Sequence, residues 1–132
     1  MIVLDTHVLV WWVANPEKLS KRAQEKIARE VKKGGQLLAS SISVWEIYLL
    51  VAKNKLSFSV DVDTWLEKVE SLPFMQFIPV DNKIAAKSVN LPEPLHSDPT
   101  DRIIIATALQ NGADLITSDK RILAYPSVRS IW

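Results

Sequence analysis

No cysteine occurs in the 132 residues, which excludes disulfides and thiolate chemistry and fits a reducing cytoplasm. No apolar run approaches the roughly 20 residues needed to span a bilayer, so no membrane association is expected. Neither sign of charge dominates: 16 basic side chains stand against 15 acidic ones, a formal net charge of +1. A broad basic face and an acidic tail are therefore both excluded, and any phosphate binding has to be local. The two histidines, His7 and His96, cannot make a zinc site without cysteine, and neither is expected to be catalytic. A secretion signal is not expected: Met1–Ala14 is apolar, but Asp5 and His7 interrupt it and no positive segment precedes it. Repeats, low-complexity tracts and linkers are also missing. What is present, 48% apolar and 23% charged residues, suits one soluble intracellular domain over residues 1–132, large enough to bury a core.

Ile2–Leu4 is a short, apolar, β-prone run ending in an acid, as expected of a strand buried on both faces of a parallel sheet. A short helix over His7–Val13 stops at Asn15-Pro16, and Ser20 caps an amphipathic helix that runs to about Lys33 and ends at Gly34-Gly35. A second strand is expected over Gln36–Ala39, a helix over Ser43–Lys53, a polar turn region over Asn54–Asp61 and a helix over Val62–Ser71. A third strand is expected over Phe77–Val80, with Pro79 tolerable at a sheet edge. Asp81 opens a helix to about Val89. Three prolines make Leu91–Pro99 a loop; Asp98 then caps a helix with Pro99 at its first position, ended by Asn111-Gly112. That helix is apolar around most of its circumference, so it is expected to be sandwiched inside the domain. Leu115–Thr117 reads as a fourth strand, Lys120–Tyr125 as a short helix and Ser130–Trp132 as a fifth strand. Strands alternating with helices predict an α/β fold with a parallel sheet covered on both faces.

In such a fold, ligands collect at the carboxyl ends of the strands. Asp5 and Asp119 sit at two such ends. Glu46 falls at the start of the helix after the second strand, and Asp101 opens a helix that runs antiparallel to the strand it precedes, which returns it to the same edge. Each acid has a structural explanation of its own. Ser43-Val44-Trp45-Glu46 matches a capping box, Asp101 favours a helix dipole, and Asp119 can cap the helix after it. Asp5 is hardest to dismiss, since an acid ending a buried strand is costly without a partner. Together, carboxylates a few ångströms apart repel by roughly 4 kcal/mol per pair at an effective dielectric near 20, unless a cation or a proton neutralises them.

Hard divalent ions such as Mg²⁺ or Mn²⁺ prefer oxygen ligands and bind phosphates through open positions, which suits water-mediated phosphodiester hydrolysis. Asp5, Asp101 and Asp119 are the expected ligands, directly or through water, with Glu46 holding or polarising the attacking water. Thr6 and Ser118, each beside one of these acids, are candidates for orienting metal-bound water, although ordinary helix capping explains both slightly better.

Ile-Val-Leu-Asp5-Thr-His, Ser-Val-Trp-Glu46-Ile, Asp98-Pro-Thr-Asp101-Arg-Ile-Ile-Ile-Ala-Thr-Ala and Leu-Ile-Thr-Ser-Asp119-Lys resemble the four blocks of a PIN domain. Their order and spacing are similar to those of the VapC-type toxins of VapBC toxin–antitoxin modules, and the resemblance covers essentially the whole chain. It implies a PIN-like three-layer sandwich: a short, mostly parallel sheet of four to five strands flanked by helices. It also implies a Mg²⁺/Mn²⁺-dependent endoribonuclease, usually a homodimer, held inactive by a small VapB-like antitoxin whose C-terminal segment enters the active-site groove. Within the third block Asp101 is assigned to the metal quartet and Asp98 mainly to the helix cap, while Arg102 is a candidate for contact with RNA phosphate or with a site acid.

Lys53, Lys55, Lys83, Lys87, Lys120 and Arg121 are candidates for an RNA path, although charged helix faces are usually just solvated. Trp11, Trp12, Trp45 and Trp65 fall on expected helices, where core filling is the default and a partly exposed patch would suit a dimer or antitoxin surface. A phosphotransferase of the haloacid-dehalogenase type would need a second acid two residues after Asp5, where this chain has His7. A catalytically silent module of the same fold that only binds RNA or protein is the stronger rival, opposed by the retention of four mutually repelling acids.

Overall fold

Short runs of Ile, Val and Leu pair into one five-stranded sheet in the computed structural model, which describes residues 1–132. The strands are β1 (Ile2–Leu4), β2 (Leu37–Ser40), β3 (Met75–Ile78), β4 (Asp114–Ile116) and β5 (Ser130–Ile131), in the order β3-β2-β1-β4-β5 with every pair parallel. Seven helices connect them: α1 (Thr6–Ala14), α2 (Lys21–Lys32), α3 (Ser41–Ala52), α4 (Val62–Glu70), α5 (Asn82–Val89), α6 (Pro99–Gln110) and α7 (Lys120–Leu123), with a single 3₁₀ turn at Pro16–Lys18. The three layers follow from alternation along the strands. Ile2, Leu4, Leu37, Ala39 and Ile116 face one core, filled by Val8, Leu9, Ala23, Ile27 and Ile47. Val3, Leu38 and Leu115 face the other, filled by Ile104, Ile105, Ala108 and Ile122. Each such side chain contributes about 1.5–3 kcal/mol on burial.

The strand order has one consequence for function. From β1 the chain first builds outward through β2 and β3, then returns to the other side of β1 for β4 and β5. The gap between the carboxyl ends of β1 and β4 is therefore the topological switch point, where an open parallel sheet leaves a crevice. The register pairs Leu4 with Ile116, and the Asp5 N–H donates to the Ile116 carbonyl at 3.0 Å, so Asp5 stands at the mouth of that crevice.

Several boundaries differ from the sequence expectation for identifiable reasons. β3 lies over Met75–Ile78 and stops before Pro79, which lacks the N–H a ladder needs. α3 begins at Ser41 because Ser40 is its cap, its hydroxyl accepting from the Ile42 N–H at 3.1 Å. The Ser43–Glu46 capping box therefore does not form, and Glu46 lies in the second turn of α3. β4 begins at Asp114, one residue earlier than expected, which leaves Thr117 just beyond the strand. Asp98 caps α6 as expected, accepting from the Asp101 N–H at 3.2 Å. Arg102, a candidate for RNA phosphate or a site acid, is instead a salt-bridged structural arginine: its guanidinium donates to the carbonyls of Ser88, Val89, Leu95 and His96 and to Glu93, which lies outside the cluster, pinning the proline-rich loop against the end of α5.

Candidate active site

Asp5 is the N-cap of α1 and is only 8% exposed. Its Oδ1 accepts from the Thr6 N–H at 2.9 Å and its Oδ2 from the Thr117 hydroxyl at 2.6 Å. Thr117 in turn accepts from the Asp119 N–H at 3.0 Å, so one fully buried hydroxyl ties the ends of β1 and β4 together. Burial pushes the Asp5 carboxyl above the ordinary range; the Thr117 and Thr6 hydrogen bonds and His7 oppose the shift, and Asp119 adds to it.

Asp101, in the first turn of α6, is also pushed up, first by burial and then by repulsion from Asp5, Asp98 and Asp119, with the His96 hydrogen bond opposing. The mutual repulsion places Asp5, Asp98, Asp101 and Asp119 in one electrostatic neighbourhood although they come from both ends of the chain. Asp119 differs from the others. Its Oδ1 caps α7 by accepting from the Arg121 and Ile122 N–H groups, and the Arg121 side chain holds its carboxyl below the ordinary range. The Arg121 guanidinium lies 3.1 Å from Asp119 Oδ2 and 3.4 Å from Asp101 Oδ2, bridging the two acids.

Glu46 touches none of these groups directly. It is half-buried on α3, one helical turn beyond Ser43, whose hydroxyl lies 2.8 Å from Thr6 Oγ1. Residues three apart share a helix face, so Glu46 lies on the side of α3 that carries Ser43 to Thr6. No three carboxylates or imidazoles close around a single point at coordination distance. Arg121 and His96 instead occupy the Oδ2 oxygens of Asp101 and Asp119. The available donors are nevertheless all carboxylate and hydroxyl oxygens, the set that hard divalent cations favour. Burial is the first cause of the raised Asp5 carboxyl, a cost that a bound cation would offset.

Three neighbours of the cluster were not singled out from sequence as belonging to it. Thr117, rather than Ser118, is the hydroxyl that meets Asp5; it directly follows Ile116, which pairs with Leu4, and so stands level with Asp5. His96, set aside as non-catalytic, places Nε2 at 2.7 Å from Asp101 Oδ2, both side chains largely buried. Its Nδ1 is buried without a partner. The tautomer with the proton on Nε2 suits this arrangement, since it avoids an orphaned N–H. Arg121, expected only as one cation along an RNA path, is a bridge between two acids.

An all-parallel five-stranded sandwich with acids gathered at the β1/β4 switch point defines a PIN-type domain. A PIN domain family model matches residues 2–127, and the chain belongs to that family. It is 30% identical to Ribonuclease VapC22 of Mycobacterium tuberculosis (strain ATCC 25618 / H37Rv) over 133 residues, covering 99% of this chain and 98% of the relative. Among solved structures it is similar to FitAcB from Neisseria gonorrhoeae, with a TM-score of 0.72 at 23% identity, covering 100% of this chain and 97% of that one. It is also similar to VapBC2 from Rickettsia felis bound to a DNA fragment from its promoter, with a TM-score of 0.71 at 18% identity, covering 99% and 98%. At these identities the structures establish the shared fold.

Proposed function

We propose that this protein is a Mg²⁺- or Mn²⁺-dependent endoribonuclease, the toxin of a toxin–antitoxin module, working in the cytoplasm. The observation that carries the reading is Asp5: a buried carboxylate at the sheet's switch point, repelled by Asp119 and Asp101. The near full-length relationship to a VapC ribonuclease supports RNA as the substrate class.

Asp5, Asp101 and Asp119 would hold the ions, with Glu46 facing the same pocket from α3 to hold or polarise the attacking water. When bound, a divalent ion supplies an activated water and stabilises charge on the phosphate oxygens. The chain's own part is positioning. Thr117 fixes the Asp5 carboxylate, Thr6 and Ser43 lock the start of α1 against α3, and His96 orients Asp101. Asp98 stays the cap of α6, and Ser118 lies beside the cluster without a hydrogen bond to it. Arg121, which bridges Asp101 and Asp119, would have to release them for an ion to be held there, and its guanidinium would then be free for a phosphate.

An antitoxin partner is supported by a neighbouring structure of the same fold, a toxin–antitoxin complex from Klebsiella pneumoniae, with a TM-score of 0.67 at 19% identity, covering 100% of this chain and 97% of that one. A homodimer is part of the same reading. Trp45 is 56% exposed, whereas Trp65 is buried against Phe58, so of the expected tryptophan patch Trp45 is the residue open to a partner.

The test is incubation with structured RNA in Mg²⁺, Mn²⁺ or EDTA, comparing wild type with Asp5→Asn. Cleavage confined to wild type plus metal is the expected result. Equal cleavage by both proteins, or none by wild type under any ion, overturns the reading.

A further inference from the structure

A concentration of positive charge lies away from the acid cluster. A cleft of about 290 Å³ between α2 and β5 is lined by Arg22, Glu25, Lys26, Arg29, Arg129 and Ile131. Arg22, Lys26 and Arg29 follow one another at four- and three-residue steps on α2, so they form a single stripe whose members repel. Arg22 and Arg29 are exposed and take part in no ion pair. Lys26 and Arg129 share one carboxylate, that of Asp114, at 3.8 and 3.6 Å. Four cations against Glu25 and Asp114 leave a local excess of +2, larger than the +1 of the entire chain.

We propose that this cleft docks the phosphodiester backbone of RNA, as a contact separate from the cleavage centre; the identity of the ligand rests on the ribonuclease reading above. The acid cluster itself repels a polyanion, so a substrate held there needs attraction from elsewhere. The cleft is near enough to supply it. The Arg129 carbonyl accepts from the Leu115 N–H at 2.9 Å and the Ile131 carbonyl from the Thr117 N–H at 3.1 Å. In that register Arg129 is level with Asp114, three strand residues, about 10 Å, from the level of Thr117. Free guanidinium forks match phosphate oxygens. An acidic protein segment fits the cleft less well, because Ile131 is its one apolar lining residue and protein interfaces are anchored by buried apolar side chains.

The test uses the full chain carrying Asp5→Asn, so that RNA is bound without being cut. Fluorescence anisotropy with a single-stranded RNA of about 16 nucleotides, a length within the range of ordinary single-strand sites, is repeated across salt concentrations with and without Arg22→Gln and Arg29→Gln. The double variant is expected to bind roughly tenfold more weakly. Its plot of log affinity against log salt should be shallower by about 1.4, at about 0.7 per phosphate contact. Its circular dichroism spectrum and melting temperature should be unchanged. Equal affinity and slope overturn the proposal, as does a change confined to binding of a poly-glutamate peptide. Metal-dependent cleavage by wild type is scored separately. Cleavage with unaltered RNA affinity in the double variant overturns the cleft alone; lost affinity without wild-type cleavage overturns the nuclease reading alone.

Discussion

The hydroxyl of Thr117 donates to Asp5 Oδ2 at 2.6 Å, linking two residues 112 positions apart. Because the same oxygen accepts from the Asp119 N–H, Thr117 sets the spacing of two expected ligands at once. Groups that orient ligands typically govern metal affinity by 10- to 100-fold. Thr117→Val should therefore weaken Mn²⁺ binding by about that factor, and Thr117→Ser should restore it. Isothermal titration of both variants checks this, and an unaltered affinity in the valine variant would contradict it.

The pH dependence of the protein in EDTA follows from the raised carboxyls of Asp5 and Asp101. A carboxyl with a raised folded pKa holds its proton more tightly folded than unfolded. Stability is thus lost as pH rises from the ordinary carboxylate value through the raised one, and stays reduced above it. Asp119 works in the opposite direction: Arg121 depresses it, and its contribution is lost as pH falls. Asp5→Asn should accordingly raise the melting temperature near pH 7 by about 4 °C, or about 1 kcal/mol for a domain of this size. The gain should shrink as pH approaches 4, where the wild-type carboxyls carry their protons. A gain independent of pH would assign it to packing instead.

Addition of Mg²⁺ or Mn²⁺ should stabilise wild type by about 2.7 kcal/mol at a hundredfold excess over the dissociation constant. The stabilisation should be absent in Asp5→Asn. Thermal melts of both proteins across a metal titration give the comparison directly.

Arg121 competes with any ion for Asp101 and Asp119, and its own side chain is 58% exposed. Arg121→Gln should tighten Mn²⁺ binding several-fold while weakening RNA binding, a pair of opposite changes that simple loss of structure would not produce. Titrations of metal and of RNA against the same variant measure both.

Arg102 supports the loop that carries His96 to Asp101. Lysine cannot reproduce its fork of donors, so Arg102→Lys should cost about 1–3 kcal/mol and speed limited proteolysis between residues 91 and 98. Denaturant unfolding and mass mapping of the first cuts test both effects.

Asp5 was legible in the sequence because an acid ending a buried apolar strand has few structural explanations, and α6 because Asp98-Pro99 marks its start. The alternation of strands and helices was enough to give the layered parallel fold. The environment of the acids was less legible. Ser43 and Glu46 mimic a capping box, and only the true cap at Ser40 shows that they do not form one. Ser118 stands out in the sequence because it is next to Asp119, whereas Thr117 meets Asp5 only because β4 lies beside β1 in the folded sheet. His96 comes from an irregular proline-rich loop, where no periodicity predicts direction, and Arg121 reaches its partners through a long flexible side chain. The basic cleft is assembled from α2 and the approach to β5, more than 90 residues apart, so no local charge run announced it.

The place of β4 beside β1 also bears on synthesis. A chain growing on the ribosome presents Asp5 more than 100 residues before Asp119, so the paired ends of these strands cannot form until β4 has been made. A fragment that stops before β4 lacks Thr117 and Asp119, so Asp5 stays without the hydroxyl that holds it, and the site is assembled only after β4 emerges.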